Sequence, residues 1–499
     1  MNKLIKLFYI VFGLIFCFLL INIPFREIST IYNIKSYIFV LLSIPLLAML
    51  IAYYNFVKKR KNNILFIIIP ILLLISLSLF IVFNFDVPLG WDYEIVFGQA
   101  KCYVENLCKL RNAGVPGYFQ YFPNNIPIFM ALVGVNKIDN LLGFQQYFLS
   151  TKLANFFFLI LTVIFTFLYV KNKFGIKKAA FSLLLFILYV PFYLYIPVFY
   201  SDTLSILFGP LLLYISLYFE SDKKYKRIIS YILFAIFSFI GCKMKMTTIF
   251  IPISIIVALL FKGINKKKLV FLLIFFSIFL SLGKIYNHYI FTKDIFSVKY
   301  NNYGSVPYTH WIMMGMENPS KKIEFRNSYG GYNGDDYTVT ESFTNSKKAE
   351  EYNIKEIKRR LNKYGIVNYL TFLSKKAVNA WGDGSFYVTT KLGWKDKYNT
   401  KEYQKYMIGK DDNHILIYFC SAVQYVFIIL LVYSFIYSLK NNTDELFTIQ
   451  LAISFLFVFL LFWENRSRYL YNYIPLFIIV ITYCIDKFSI KHKKINSSQ

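Results

Sequence analysis

Apolar runs of about twenty residues, the length an α-helix needs to cross a bilayer, recur along this chain and constrain its fold more than any other feature. Candidate crossings lie at 4–23, 37–57, 64–83, 147–170, 179–199, 203–219, 228–242, 247–261, 269–286, 414–439, 446–463 and 469–485. Hydrophobic residues make up 57% of the 499, and charged residues only 16%. Soluble domains are less apolar and more charged. The expected fold class is an all-α membrane protein with about twelve transmembrane helices.

The net charge of +28 would point to nucleic acid in a soluble protein. Here Lys and Arg fall mostly in short runs between apolar segments, the pattern of cytoplasmic loops, so no nucleic-acid partner is expected. Lys3 and Lys6 precede the first crossing, and Lys58, Lys59, Arg60 and Lys61 follow the second. Lys171, Lys173, Lys177 and Lys178 follow the fourth; Lys223, Lys224, Lys226 and Arg227 the sixth. Lys262, Lys266, Lys267 and Lys268 follow the eighth, Lys440 the tenth, and Lys491, Lys493 and Lys494 close the chain. All share one side if both termini are cytoplasmic, and one crossing more or fewer would flip every later loop. The expected location is the cell membrane, multi-pass, with any active site extracellular. The N-terminal run has a basic start but no small-residue cleavage site, which predicts a retained span.

Three outer segments follow from this topology: 84–146, the short link around Tyr200, Ser201 and Asp202, and 287–413. The last is too long for a simple loop and is expected to form a small mixed extracellular domain. Within it Ile354, Ile357, Leu361, Ile366, Tyr369, Leu370 and Leu373 keep helical spacing, which predicts one or two amphipathic helices near the membrane surface. The organisation is thus a transmembrane region, 1–286, with a candidate catalytic loop at 84–146; an outer domain, 287–413; and C-terminal helices with a cytoplasmic tail, 414–499. Cys17, Cys242, Cys420 and Cys484 lie in or beside apolar runs and read as packing residues. Cys102 and Cys108 lie in an outer loop, where an oxidising compartment permits a disulfide. With four histidines and no CxxC pair, no metal and no cofactor are expected.

Ionisable residues are nearly absent from the centres of the crossings, where one charge costs roughly 2.5–3.5 kcal/mol. They gather at the outer ends instead. Ion-coupled transporters keep their sites at the midplane, so this distribution favours an outer-face enzyme. Asp86, Asp92 and Glu94 follow the third crossing, with Trp91 between them. A carboxylate at the lipid–water boundary suits a general base, because partial desolvation raises its pKa; an ordinary solvated loop would carry the same acids. Tyr121, Phe122 and Pro123 precede a short apolar stretch that reads as an interfacial helix or an aromatic-anchored loop. Asp202 either works beside the first acid or caps the helix beginning at Thr203.

Lys243, Lys245, Arg466 and Arg468 stand outside against the positive-inside trend, and Lys152 lies near the outer end of the fourth crossing. Cations at headgroup depth suit a phosphate or pyrophosphate. Internal pairing, for instance Glu464 with Arg468 at i,i+4 spacing, is the competing reading. The outer segment adds His310-Trp311, a Gly- and Asp-rich stretch at 330–337, and Trp381-Gly382-Asp383-Gly384. Rings that stack on sugar faces and short acids that take hydroxyls are the materials of a sugar cleft; turns and interfacial anchors use them too.

The order of these features resembles the GT-C class of integral-membrane glycosyltransferases, closest to family 39 with its protein O-mannosyltransferases and lipid A aminoarabinose transferases. Asp92 in the first large outer loop, Phe122-Pro123 with Pro127, and Lys152 follow the order of that family's acidic motif, aromatic–proline segment and basic residue, which is often Arg. The Glu464–Tyr469 stretch leading to Pro475 resembles its late E…RY…P element. Residues 309–315 and 381–384 resemble pieces of uncharacterised Gram-positive members. The chain departs from the family in having more crossings before the acidic loop than the usual one. It also reads Asp-x-Glu where adjacent Asp-Glu is usual, so Asp92, not Glu94, is the expected base.

The resemblance implies a GT-C-like fold and a polyprenyl-phosphate sugar donor used on the outer leaflet, with membrane lipid and an envelope glycan or protein acceptor as partners. Asp92 would deprotonate the acceptor, with Glu94 and Asp202 as neighbouring acids, and the anomeric centre would invert. Lys152, Lys243, Lys245, Arg466 and Arg468 would hold the departing lipid phosphate without a metal. Trp91, Tyr121, His310, Trp311, Asp383, Glu464 and Tyr469 are the expected substrate contacts. A glycan polymerase or ligase fits the same outer residues. A lipid-linked sugar flippase or other transporter would need a polar path through the midplane.

Overall fold

The computed structural model describes residues 1–25, 34–85, 90–106, 118–292, 305–320, 328–343, 345–392 and 414–496. Its helices are α1 (Lys3–Asn22), α2 (Ser36–Lys59), α3 (Ile64–Asn84), α4 (Trp91–Val104), α5 (Tyr118–Tyr121), α6 (Ile126–Leu141) and α7 (Tyr147–Phe174). There follow α8 (Ile176–Leu188), α9 (Val190–Leu194), α10 (Ser201–Ser205), α11 (Phe208–Ser216), α12 (Lys224–Met244), α13 (Phe250–Phe261) and α14 (Lys266–Thr292). The outer segment holds α15 (Tyr308–Met314), α16 (Gly334–Glu341), α17 (Ser346–Gly382) and α18 (Val388–Leu392). The chain closes with α19 (His414–Asn441), α20 (Phe447–Phe462), a 3-10 turn at Ser467–Tyr473 and α21 (Ile474–Asn496). No strand occurs among the described residues.

Among the described residues eight helices are long and apolar enough to cross a membrane: Lys3–Phe25, Ser36–Lys59, Ile64–Asn84, Tyr147–Phe174, Lys224–Met244, Lys266–Thr292, His414–Asn441 and Ser467–Phe488. Eight of the about twelve expected crossings are thus carried by helices of full spanning length. The apolar helices Ser201–Ser216, Met246–Phe261 and Phe447–Phe462 are shorter, and the predicted run at 179–199 is broken between α8 and α9. Proline explains two of the interruptions, since it removes an N–H and its ring clashes with the carbonyl four residues back. Pro191 stands at the start of α9, and the Tyr193 hydroxyl supplies a donor to the Ile187 carbonyl at 3.3 Å. Pro210 lies in the first turn of α11, just after the chain leaves α10. Hydropathy counts apolar residues and does not register these breaks.

Burial ranks the helices. In the most apolar stretch of Ser467–Phe488, 94% of residues are buried, against 11% for Lys266–Thr292. The former is the axis of the bundle. The latter turns Leu269, Leu273, Phe276 and Leu280 outward, as a lipid-facing helix should. At one end of the bundle Lys58 and Lys178 both reach Asp486, at 2.7 and 3.1 Å. Three chain ends predicted on the same side thus meet.

The outer segment was expected to be mixed; the regular elements among its described residues are all helices. Long α17 kinks at Gly365, whose φ of 63° a residue without Cβ adopts freely. Beyond the kink the helix dives inward. Trp381 is fully buried against Phe16 and Phe457 at 5.6 Å each and Phe477 at 6.2 Å. At Gly384 a Cβ would fall 2.0 Å from the Cys420 carbonyl oxygen, so only glycine admits this approach. The end of the outer segment is part of the core of the bundle.

Candidate functional site

At the end of the bundle away from Asp486, the start of α4 carries the predicted acid. Trp91 has φ of 51°, a left-handed conformation that is strained for a bulky side chain and recurs at functional sites. Asp92 follows it, exposed. The Tyr200 hydroxyl lies 3.5 Å from Asp92 Oδ2 and 3.1 Å from Asn125 Oδ1, and Asn125 Nδ2 donates to Tyr118 at 2.6 Å. Burial, then the charge of Asp92, pushes the hydroxyls of Tyr118 and Tyr200 well above the usual tyrosine range. Both stay protonated, and Tyr200 is a donor available to the carboxylate.

Asp202 does not cap its helix. That helix starts at Ser201 with Tyr200 as its N-cap, and the Thr203 hydroxyl accepts from the Tyr200 backbone N–H at 3.2 Å. The buried Asp202 carboxylate instead accepts a hydrogen bond from Lys245 and lies 3.5 Å from Arg468 Nε. Burial pulls the Lys245 amine down, and Asp202 opposes that shift. In place of the alternative pairing of Glu464 with Arg468, Glu464 accepts from the Tyr469 hydroxyl at 2.7 Å and stands 3.9 Å from Arg466.

Arg468 sits over three rings, 5.3 Å from that of Trp91, 5.5 Å from Tyr469 and 6.0 Å from Tyr200. Opposite this chain segment comes a residue that sequence reasoning missed. Lys391 Nζ lies 3.6 Å from the centre of the Trp91 ring. It is carried there by α18, entered through Phe386 and Tyr387 at φ of 48° and 63°. Tyr195 donates to the Phe386 carbonyl at 2.8 Å, and Arg466 donates to and stacks on Tyr387. Nothing in the local pattern marks Lys391, one lysine in a polar stretch; only the fold brings it to Trp91.

Thus Trp91, Asp92, Asp202, Lys245, Arg468 and Tyr469 converge, with Glu464 and Arg466 adjoining. Glu94 is exposed two residues on. Other predicted residues lie elsewhere. Lys243 stacks on Tyr286 at 4.4 Å and Phe239 at 5.6 Å. Buried Lys152 lies 3.3 Å from the Phe85 carbonyl and lines a separate cavity of about 380 Å³ with Phe97, Lys101, Gln145 and Gln146. His310 meets Thr340 at 2.9 Å inside the outer segment, where burial holds it down to about 4, and Trp311 stacks on Trp463. Tyr121 accepts from the Val306 backbone. Asp383 anchors the turn into α18, accepting from Ser385 and from Ser467 at 2.6 Å; its carboxylate is buried. Asp86 and Cys108 lie outside the described residues; Cys102 is disulfide-bonded. Among the described residues no group of three or more His, Cys, Asp or Glu is assembled that could hold a metal ion.

A family model described as "Conserved hypothetical integral membrane protein" matches residues 1–489. No curated protein and no solved structure matches the chain.

Proposed function

We propose that this chain, which belongs to the family of conserved hypothetical integral membrane proteins, is an inverting glycosyltransferase that moves a sugar from a polyprenyl-phosphate donor to an envelope glycan or protein acceptor on the outer leaflet. The observation that carries this reading is the exposed Asp92 beside a protonated tyrosine and facing a set of cations at one end of the bundle. In this reaction Asp92 takes the proton of the acceptor hydroxyl. The acceptor oxygen bonds to the anomeric carbon as the bond to the phosphate oxygen breaks. The electron pair leaves on the lipid monophosphate, whose added charge Arg466 and Arg468 stabilise. Asp202, already balanced by Lys245 and Arg468, orients Arg468. Glu94 has no step of its own.

The topology that goes with the reading has about twelve crossings, counting the short and broken helices, both termini cytoplasmic and the Asp92 end outside. Two observations support it. Lys58 and Lys178 gather at the opposite end of the bundle from Asp92, and Cys102, at the far end of α4, is disulfide-bonded, as thiols are in oxidising compartments. The test is Asp92→Asn in protein shown to insert normally. Loss of sugar transfer from a polyprenyl-phosphate donor is expected, and unchanged transfer rules out the base. Use of a lipid pyrophosphate oligosaccharide instead would mark a polymerase or ligase.

A further inference from the structure

We propose that His310, Glu341 and the ring of Tyr337 form a saccharide subsite on the approach to Asp92, so that the acceptor is a glycan and not a protein. That the saccharide is the acceptor of the reaction rests on the reading above; the subsite rests on geometry. Tyr121, Phe122, His310, Tyr337 and Glu341 line one narrow cleft with about 180 Å³ of empty space. His310 is fully buried, and its Nε2 meets no hydrogen-bond partner among the described residues. A buried polar atom in that state is rare and calls for an explanation. The groups behind the ring fix its tautomer. Asn353 Oδ1 accepts from the Thr340 hydroxyl at 3.3 Å, so in the 2.9 Å contact with Thr340 it is His310 Nδ1 that donates. Burial holds the imidazole down to about 4. At neutral pH the ring is uncharged, and Nε2 is a bare acceptor.

The same cleft holds a second acceptor, the exposed carboxylate of Glu341, which takes the Tyr337 hydroxyl at 3.2 Å. Two acceptors ask for a ligand that donates more than once. A phosphate dianion cannot do so, and a peptide backbone offers one N–H per residue; the neighbouring hydroxyls of a sugar supply two donors side by side. The rings of Phe122 and Tyr337 lie within 12° of parallel, their centroids 6.3 Å apart, and give the cleft flat apolar faces for the C–H face of a pyranose. The cleft leads back to the base. The Phe122 ring lies 5.3 Å from that of Tyr118, whose hydroxyl is joined through Asn125 and Tyr200 to Asp92. The Tyr332 ring lies 6.2 Å from that of Tyr337, and burial, then the charge of Asp92, raises its hydroxyl above the usual range. As the walls stand no water molecule fits between them, so one wall must move. Tyr337 is half-buried, and its hydroxyl rests on the carboxylate that a sugar hydroxyl would claim. Turned aside, its ring uncovers His310, 6.3 Å away.

The test uses the full-length protein in nanodiscs of zwitterionic lipid and follows fluorescence anisotropy. The probe is envelope polysaccharide from the cells that make the protein, released by mild acid, digested free of protein and labelled at its reducing end. Wild type should bind it saturably, and periodate oxidation of the probe, which cleaves vicinal diols, should abolish binding. Glu341→Ala should bind about tenfold or more weakly. Glu341 is on the surface, so this variant decides even where His310→Leu fails to fold. His310→Gln, which keeps an acceptor near the place of Nε2, should retain more affinity than His310→Leu, a difference that a merely structural histidine would not produce. Tyr337→Phe should bind as tightly as wild type or more so, because its ring is no longer tied to Glu341. No saturable binding by wild type, wild-type affinity in Glu341→Ala, or equal binding of the oxidised probe overturns the proposal, as does binding of the protein fraction of the envelope in place of the polysaccharide. Asp92→Asn should still bind. If it also transfers sugar normally, the proposed reaction fails and the saccharide subsite stands; if Glu341→Ala binds normally while Asp92→Asn loses transfer, the subsite fails and the reaction stands.

Discussion

Tyr200 holds its hydroxyl 3.5 Å from the Oδ2 of Asp92, across more than a hundred residues of chain, and only 3.1 Å from Asn125. The one hydroxyl proton can serve one of them at a time. With the acceptor bound, donation to Asp92 would orient the carboxylate. Tyr200→Phe should therefore lower the rate of sugar transfer by about 10- to 100-fold, the worth of one hydrogen bond to a charged group. The Michaelis constant for the donor should change little. Steady-state kinetics at saturating donor check this; an unchanged rate removes Tyr200 from the site.

The Asp202–Lys245 pair is buried and joins α10 to the turn before α13. Removing one member leaves an uncompensated charge, which costs roughly 3–5 kcal/mol. Asp202→Ala should lower the thermal unfolding temperature of the detergent-purified protein markedly. Asp202→Ala combined with Lys245→Met should recover part of that loss, because the stranded ammonium is gone. A double-mutant cycle on melting temperatures measures the coupling; additive losses would show that the pair does not act as one unit.

Lys376 gives a pH dependence with a definite sign. Its amine donates to the carbonyls of Gly315 and Trp463, both at 2.6 Å, and ties the outer segment to the link before α21. Burial pulls it from the ordinary 10.5 down to about 7, with Glu464 opposing. Between those values the unfolded chain holds a proton that the folded chain lacks, so this group's contribution to stability rises with pH from about 7 to 10.5. Below about 7 the cost of the buried charge is fully present. Wild-type minus Lys376→Met stability, followed by chemical denaturation from pH 6 to 10, should climb with pH across that window. A flat difference would mean that the amine is not buried as described.

Most of the helices were legible in the sequence, because lipid demands runs of apolar residues whose length is set by the bilayer. Lys3–Phe25 and His414–Asn441 were found close to their bounds for that reason. The lengths of the individual crossings were less legible. Ser201–Ser216 and Phe447–Phe462 are shorter than a bilayer is thick, and hydropathy reads them like full spans. Proline at 191 was visible, but its effect on a buried helix depends on whether a neighbour, here Tyr193, satisfies the freed carbonyl.

The site divides the same way. Asp92, Asp202, Lys245 and Arg468 stood out as charges where lipid should forbid them, and an out-of-place charge must find a partner. Lys152 and Lys243 stood out equally, yet one lines a separate cavity and the other rests on aromatic rings. Lys391 did not stand out, since a lysine in a polar outer segment costs nothing until it is buried.

By itself, the amino-acid sequence determined that this protein lies in a membrane, that it is helical, and that its unusual charges sit at the ends of its spans. Those follow from transfer energies, which each residue carries wherever it sits. Which charges meet was decided only by the tertiary structure. Contact between Lys391 and Trp91, or between Asp202 and Arg468, depends on how helices distant in sequence pack and how three left-handed aromatic residues turn the backbone. No local pattern of residue types records that geometry.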